Sequence, residues 1–250
     1  MCPPTATSSP RPAARDQQPA TSSPARERRR HRLDRSRVAA AALDEIDEHG
    51  LEALSMRALG ARLGVEAMTL YRYTPSKADL LDAVVERLLT QMRTASATRP
   101  ANQGQDWKVH LHDIAHAVHG TARAHPSAFG LLARYTPPHA WLRPPLCDPT
   151  WAASILCDLQ AAGFDETTAL GAYHDLAGFL LGHLLPQAAR DAATTTRGTS
   201  SGAMRTGIGT RKGPMAHRLQ RLAPRASTTE QFDETLDRLI GHLPLSSHRG

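Results

Sequence analysis

Aromatic side chains are scarce in this chain, with four Tyr, four Phe and three Trp among 250 residues. Cysteine is scarcer still. Cys2, Cys147 and Cys157 are odd in number and none stands in a close pair, which argues against a disulfide framework or a zinc knuckle and fits a reducing cytoplasm. No apolar run approaches the ~20 residues needed to span a bilayer, and no apolar h-region for secretion is present. The expectation is a soluble, cytoplasmic protein without a membrane partner. Paired catalytic carboxylates, a phosphate loop and a believable nucleophile triad are also missing. Gly198 to Gly202 spells G-x-S-x-G, but a nucleophile elbow needs a preceding strand, and nothing here reads as strand. No catalytic residue and no cofactor are expected.

Acidic residues are sparse in two stretches, and that locates the net charge of +6. Residues 1–37 hold nine basic side chains against three acidic ones, which accounts for the whole excess. Residues 190–225 carry eight basic side chains against Asp191 alone. The body between them is acidic. Basic charge gathered into polar, structure-poor segments points to a polyanionic partner, because Arg and Lys contacts to phosphates release counterions.

Residues 1–32 are rich in Pro, Ser, Thr, Ala and Arg and lack apolar periodicity, so they are expected to form a disordered tail. From Leu33 the pattern becomes helical. Asp34 is placed to cap a helix in which Val38, Ala42 and Ile46 recur every four residues, and Gly50 to end it in the left-handed region. Ser55 is expected to cap a second helix, Met56 to Leu63, with Gly64 making the turn that follows. A third is expected from Glu66 to about Tyr73, stopped by Pro75. Thr74 and Pro75 suit the start of a fourth, carrying Leu80, Leu81, Val84, Val85, Leu88 and Leu89. Two short helices joined by a Gly-containing turn form a helix-turn-helix, whose second helix fits the DNA major groove.

The stretch MTLYRYTPSK, Met68 to Lys77, places two of the four tyrosines beside Arg72. On a helix starting at Glu66, Leu70 faces the small core, leaving Ala67, Met68, Tyr71 and Arg72 outward. Apolar groups can touch thymine methyls, and Arg can bond guanine bidentately. Lys77 sits at the start of the next helix, beside unpaired backbone N–H groups suited to a phosphate. The alternative is that Met68 and Tyr71 pack on a neighbouring helix and Lys77 is solvated.

The span Leu33 to Leu89, above all HGLEALSMRALGARLGV and TLYRYTPSKADLL, resembles the DNA-binding domain of the TetR (tetracycline-repressor) family of bacterial transcriptional regulators. The resemblance implies an all-α fold. Residues 33–90 would be a three-helix helix-turn-helix domain, and residues 91–250 a helical effector-binding and dimerisation domain with a flexible basic loop at about 190–226. It implies Arg57 as a base or phosphate contact, Thr69 and Tyr73 as phosphate contacts, Tyr71 as a mixed methyl and backbone contact, and Lys77 as a phosphate clamp. Ala67 and Met68 depart from the polar or proline residues common in the family, so base reading is expected to fall on Arg57 and Arg72. The Arg-rich tail is a candidate arm for the minor groove.

Further along, Trp107, Leu111, Ile114, Val118 and Ala122 share one face of a helix over 105–124, with His112, His116 and His119 roughly opposite. That histidine stripe reads as solvated or pocket-lining, with metal ligation as the rarer outcome. Further helices are expected at 148–162, at 165 to about 189, and at 228–242. In TetR-like proteins the two closing helices form a dimer interface and the middle helices enclose a small-molecule pocket. The candidate effector residues are Trp107, His112, His116, His119, Tyr173 and His174. The expected function is a homodimeric repressor released from a palindromic, double-stranded operator by an unknown small-molecule effector. An activator or effector-independent DNA binder is the alternative, and a metal-assisted enzyme using the histidine stripe the remote one.

Overall fold

The computed structural model describes residues 33–97, 107–199 and 229–243, with side chains placed through residue 194 in the second stretch. The described residues from Asp34 onward lie in one compact unit, and no strand occurs among them. The predicted tail, most of the basic loop, and Gly202 of the G-x-S-x-G stretch fall outside the described residues, whereas Gly198 lies in a helix.

Helix α1, Arg35–His49, starts where Asp34 accepts the Arg37 N–H at 2.8 Å, and it buries Val38, Ala42 and Ile46. Gly50 closes it with φ 83° but ψ 162°. The left-handed cap expected there is an extended turn, still open only to a positive-φ residue, which leads into a 3-10 turn at Leu51–Ala53. Helix α2, Met56–Leu63, is capped by Ser55, and Gly64 is left-handed at φ 68°, ψ 30°.

Helix α3 covers only Ala67–Leu70, shorter than the run to Tyr73 expected from sequence. After Leu70 the chain tightens into turns, with the N–H groups of Tyr73 and Thr74 both reaching the Leu70 carbonyl at 2.9 and 3.0 Å. Helix α4, Lys77–Ser96, is capped by Ser76 and not by Thr74. Thr74 is fully buried and its hydroxyl donates to the Leu70 carbonyl, which removes it as a cap. Ser76 Oγ accepts the Asp79 N–H at 3.1 Å and donates to the Asp79 carboxylate at 2.6 Å.

The remaining described helices are α5 (Trp107–Ala124), α6 (Pro126–Phe129), α7 (Pro149–Ala161), α8 (Glu166–Thr199) and α9 (Thr229–Gly241). Asp148 caps α7 with Pro149 in the first turn, a position where a missing N–H costs nothing. Helix α8 runs ten residues beyond its expected end near Ala189 and contains Pro186. The carbonyl that Pro186 leaves without a donor belongs to Gly182, which is exposed, so water can take that bond and the helix survives.

Helix α4 packs against α1 on one side and α5 on the other; α5 and α7 pack on α8, and α9 on α5. Ile114 and Val118 of α5, Leu176 and Leu180 of α8, and Phe232 and Leu236 of α9 are all buried to within 1%. Short α6 packs on both α1 and α8, so the helix-turn-helix is tied into the larger helical body.

Candidate nucleic-acid interface

Helices α2 and α3 meet at a close backbone crossing. A Cβ added to Gly60 would stand 2.8 Å from the Val65 carbonyl and 3.2 Å from the Ala67 nitrogen. The Val65 N–H bonds the Gly60 carbonyl at 2.9 Å across the same crossing. Gly60 therefore sets how near the recognition turn lies to α2. A glycine inside a helix costs roughly 1 kcal/mol relative to alanine, and that penalty in RALGARLG was the sequence signal that could have marked it.

Two polar ties hold this unit. Arg62 of α2 reaches back to α1, with Nη1 at 3.1 Å from Glu45 and 2.7 Å from Glu48 while Nη2 binds the other Glu48 oxygen. The Arg62 hydrogen bond holds the Glu48 carboxyl below its usual range, and the guanidinium is pushed up in return. His49 also faces Glu45 at 3.3 Å. At the other end, Lys77 Nζ donates to the Leu54 carbonyl at 2.8 Å, fastening the start of α4 to the residue before the Ser55 cap. Pairwise contacts between helices leave no trace in sequence periodicity, so neither tie was visible there.

What remains outward is the set Arg57, Met68, Tyr71 and Arg72, all exposed, with Ala67, Thr69 and Tyr73 half-buried beside them. Met68 is 73% exposed and Tyr71 41%. With Val109 these are the exposed large hydrophobic side chains among the described residues, and two of the three stand on this one short surface. Leu70, between them, is completely buried. Neither Arg57 nor Arg72 joins an ion pair among the described residues. The domain has more acids than bases, yet Glu45 and Glu48 are engaged by Arg62 and Asp47 by His125. The guanidiniums on the α2–α3 face therefore keep their charge available to a phosphate or base edge.

This chain matches the model of the bacterial regulatory proteins of the tetR family over residues 38–84. It is 32% identical over 167 residues to the tetracycline repressor protein class A from transposon 1721 of Escherichia coli, a match covering 67% of this chain and 73% of that repressor. The chain belongs to the TetR family. The HTH-type transcriptional repressor DrrR1 of Streptomyces coeruleorubidus is 38% identical over 95 residues, 38% of this chain and 33% of that protein's length. The crystal structure of TetR from Acinetobacter baumannii AYE superposes with a TM-score of 0.62 at 25% identity, over 84% of this chain and 96% of that one. This TetR-family protein is thus an all-helical DNA-binding regulator, and no described helix is long and apolar enough to cross a membrane.

The second group of candidate residues lies elsewhere in this TetR-family fold. His112, His116 and His119 lie on the side of α5 that meets α9, with His119 buried, His112 part-buried and His116 still exposed to solvent. His112 Nε2 lies 3.0 Å from Asp237 and His116 Nε2 3.4 Å from Asp233. His119 is buried and stacks on Phe232 at 4.5 Å. Phe232 also meets Phe179 at 5.6 Å and His183 at 5.5 Å. Burial pushes the His119 and His183 imidazoles below their usual range. Helical periodicity identified a second face on α5, but not the helix that packs beside it.

Trp107 packs edge-on against Phe164 at 5.0 Å. Tyr173 is fully buried; its hydroxyl accepts the Arg143 N–H at 2.9 Å and donates to the Leu146 carbonyl at 2.8 Å, and burial pushes it up to about 12. His174 Nε2 donates to the Trp141 carbonyl at 2.8 Å. These two side chains anchor the segment before α7, with both polar ends occupied by backbone. The histidines do not converge either, since among the described residues no three His, Cys, Asp or Glu side chains come together in a metal-holding group.

Proposed function

We propose that this protein is a homodimeric repressor that reads a palindromic operator through Arg57, Ala67, Met68, Thr69, Tyr71, Arg72, Tyr73 and Lys77. The observation that carries the reading is the exposure of Met68 and Tyr71 on either side of fully buried Leu70. Leaving large apolar surface in water is unfavourable, and a duplex groove offers thymine methyls and sugar faces to cover it. Arg57 and Arg72 supply base or phosphate contacts, and Lys77 uses one donor on Leu54 while its remaining N–H groups serve a phosphate.

Dimerisation through α8 and α9 is supported by the outward side of α8. There Gly171, Gly178 and Gly182 have open space where a Cβ would stand, which lets a second helix approach closely. Two copies would then place their recognition turns on half-sites about 34 Å apart or a multiple of it.

Release by a small effector is the second half of the proposal. A variant of the Acinetobacter TetR was solved in complex with minocycline, and the candidate effector region here is the aromatic cluster of His116, His119, Phe179 and His183 around Phe232. Phe232 fills its centre, so an effector entering it displaces α9 and favours a state with poor operator affinity.

The test is footprinting and fluorescence anisotropy on the DNA flanking the protein's own gene, with a metabolite panel added afterwards. Two protected half-sites at helical spacing, lost with a particular metabolite, are expected. Absence of binding to any duplex at low salt would refute the reading.

A further inference from the structure

A groove of about 660 Å³ runs between α1 and α4, within the ~300–1,000 Å³ range of small-molecule sites. It is separate from the DNA-facing surface and from the cluster beneath α9. Its walls are apolar for an identifiable reason. Thr90 and Thr94 line it, but their hydroxyls donate to the Glu86 and Thr90 carbonyls, each at 2.8 Å. Their methyl groups remain for the groove, beside Ala39 and Ala83.

At the rim Arg35 forks onto both Glu86 oxygens at 2.8 and 3.4 Å, so these two charges offset each other. Arg87 is left over. It joins no ion pair among the described residues, and its Nε is buried without a hydrogen-bond partner. Four residues on along the same helix face, the side-chain oxygen of Gln91 is buried and unpartnered as well. A buried polar atom left unpaired costs ~1–3 kcal/mol. Both side chains line the groove, and the Arg87 guanidinium stands there without a counter-charge among the described residues.

We propose that the α1–α4 groove is a second ligand site, taking a small amphipathic carboxylate. The carboxylate accepts from the terminal N–H groups of the Arg87 guanidinium, and the Gln91 NH₂ donates to the second oxygen. The aliphatic body lies along the Thr90 and Thr94 methyls. A ligand gripping α1 and α4 together acts on the two helices that position the recognition turn.

Calorimetric titration of the free, full-length protein with decanoate, decanol and decylamine, each below its micellar concentration, tests this without operator DNA. Decanoate is expected to saturate one site per chain, with decylamine at least ~10-fold weaker. Arg87→Met and Gln91→Leu should each weaken decanoate ~10-fold or more, equivalent to about 1.4 kcal/mol, and Arg87→Lys should recover part of the loss. Thr94→Trp fills the groove from its exposed side and should abolish binding while the melting temperature stays near wild type. Decanoate binding that is indifferent to all of these changes lies elsewhere and overturns the site. So does a wild type that ignores decanoate, or a Thr94→Trp variant whose only effect is a changed sedimentation coefficient, which would assign the groove to a second copy.

Discussion

His125 and Asp47, 78 residues apart in sequence, meet at 2.6 Å, imidazole Nδ1 to carboxylate. The histidine follows the last residue of α5 and the aspartate sits on α1 beside the helix-turn-helix. Both side chains are largely buried, at 19% and 23% exposure, and the other Asp47 oxygen has no hydrogen-bond partner. This contact ties the end of α5 to the DNA-binding unit.

Removing that link leaves a part-buried carboxylate unsatisfied on both oxygens. His125→Ala should destabilise the fold by about 1–3 kcal/mol, a fall of several degrees in melting temperature for a chain of this size. It should also shrink the loss of operator affinity caused by an effector. Unchanged melting and unchanged effector response would remove His125 from the coupling path.

Gly60→Ala puts a methyl carbon 2.8 Å from the Val65 carbonyl, so α2 and α3 must separate. Overpacking of this kind costs about 1–3 kcal/mol. Far-UV circular dichroism should keep its helical content, while operator affinity measured by anisotropy falls at least ~10-fold. If affinity is retained, the α2–α3 crossing does not set the recognition geometry.

The two cations beside the recognition turn should separate by experiment. Lys77→Ala is expected to weaken binding on every sequence and to flatten the salt dependence by about one unit of log–log slope. Because Lys77 also donates to the Leu54 carbonyl, a small drop in stability should accompany it. Arg72→Ala should instead relax preference at one base pair, worth about 1–3 kcal/mol, as seen by selection from a randomised operator pool.

Acid should loosen α9. Burial, then the charges of Arg123, His116 and His183, hold His119 below its ordinary value, with Asp233 opposing them; burial and Arg190 do the same for His183. Folding thus favours the neutral form of both imidazoles, which charge near about 6.5 when unfolded. Their contribution to stability is complete above that value and is lost as pH falls below it towards the depressed folded values. Thermal melts at pH 7.5 and 5.5 should show a drop at the lower pH, and His119→Phe with His183→Phe should remove most of it. The His112–Asp237 and His116–Asp233 pairs keep both partners in wild type and variant. An equal drop in wild type and variant would assign the acid sensitivity elsewhere.

Local rules carried the N-terminal unit a long way. Asp34, Ser55, Gly64 and buried Leu70 were legible because caps, turns and a four-residue apolar repeat act over a few neighbouring residues, and the span Leu33 to Leu89 already bore the family resemblance. The same short range explains the misses. Pro75 correctly marked a break, but the sequence could not tell that Thr74 would be buried and that Ser76 would take the cap.

The sequence by itself determined the helical class, the order of the helices and the outward placing of Met68, Tyr71 and Arg72, since periodicity and capping are properties of contiguous residues. Tertiary structure alone decided that Phe232 of the last helix seats on the His119 side of α5, that Arg62 clamps Glu45 and Glu48, that Gly60 admits the Val65 carbonyl, and that His125 meets Asp47. Each of those joins residues whose separation along the chain carries no pattern, and only the packing of one helix on another selects the partner.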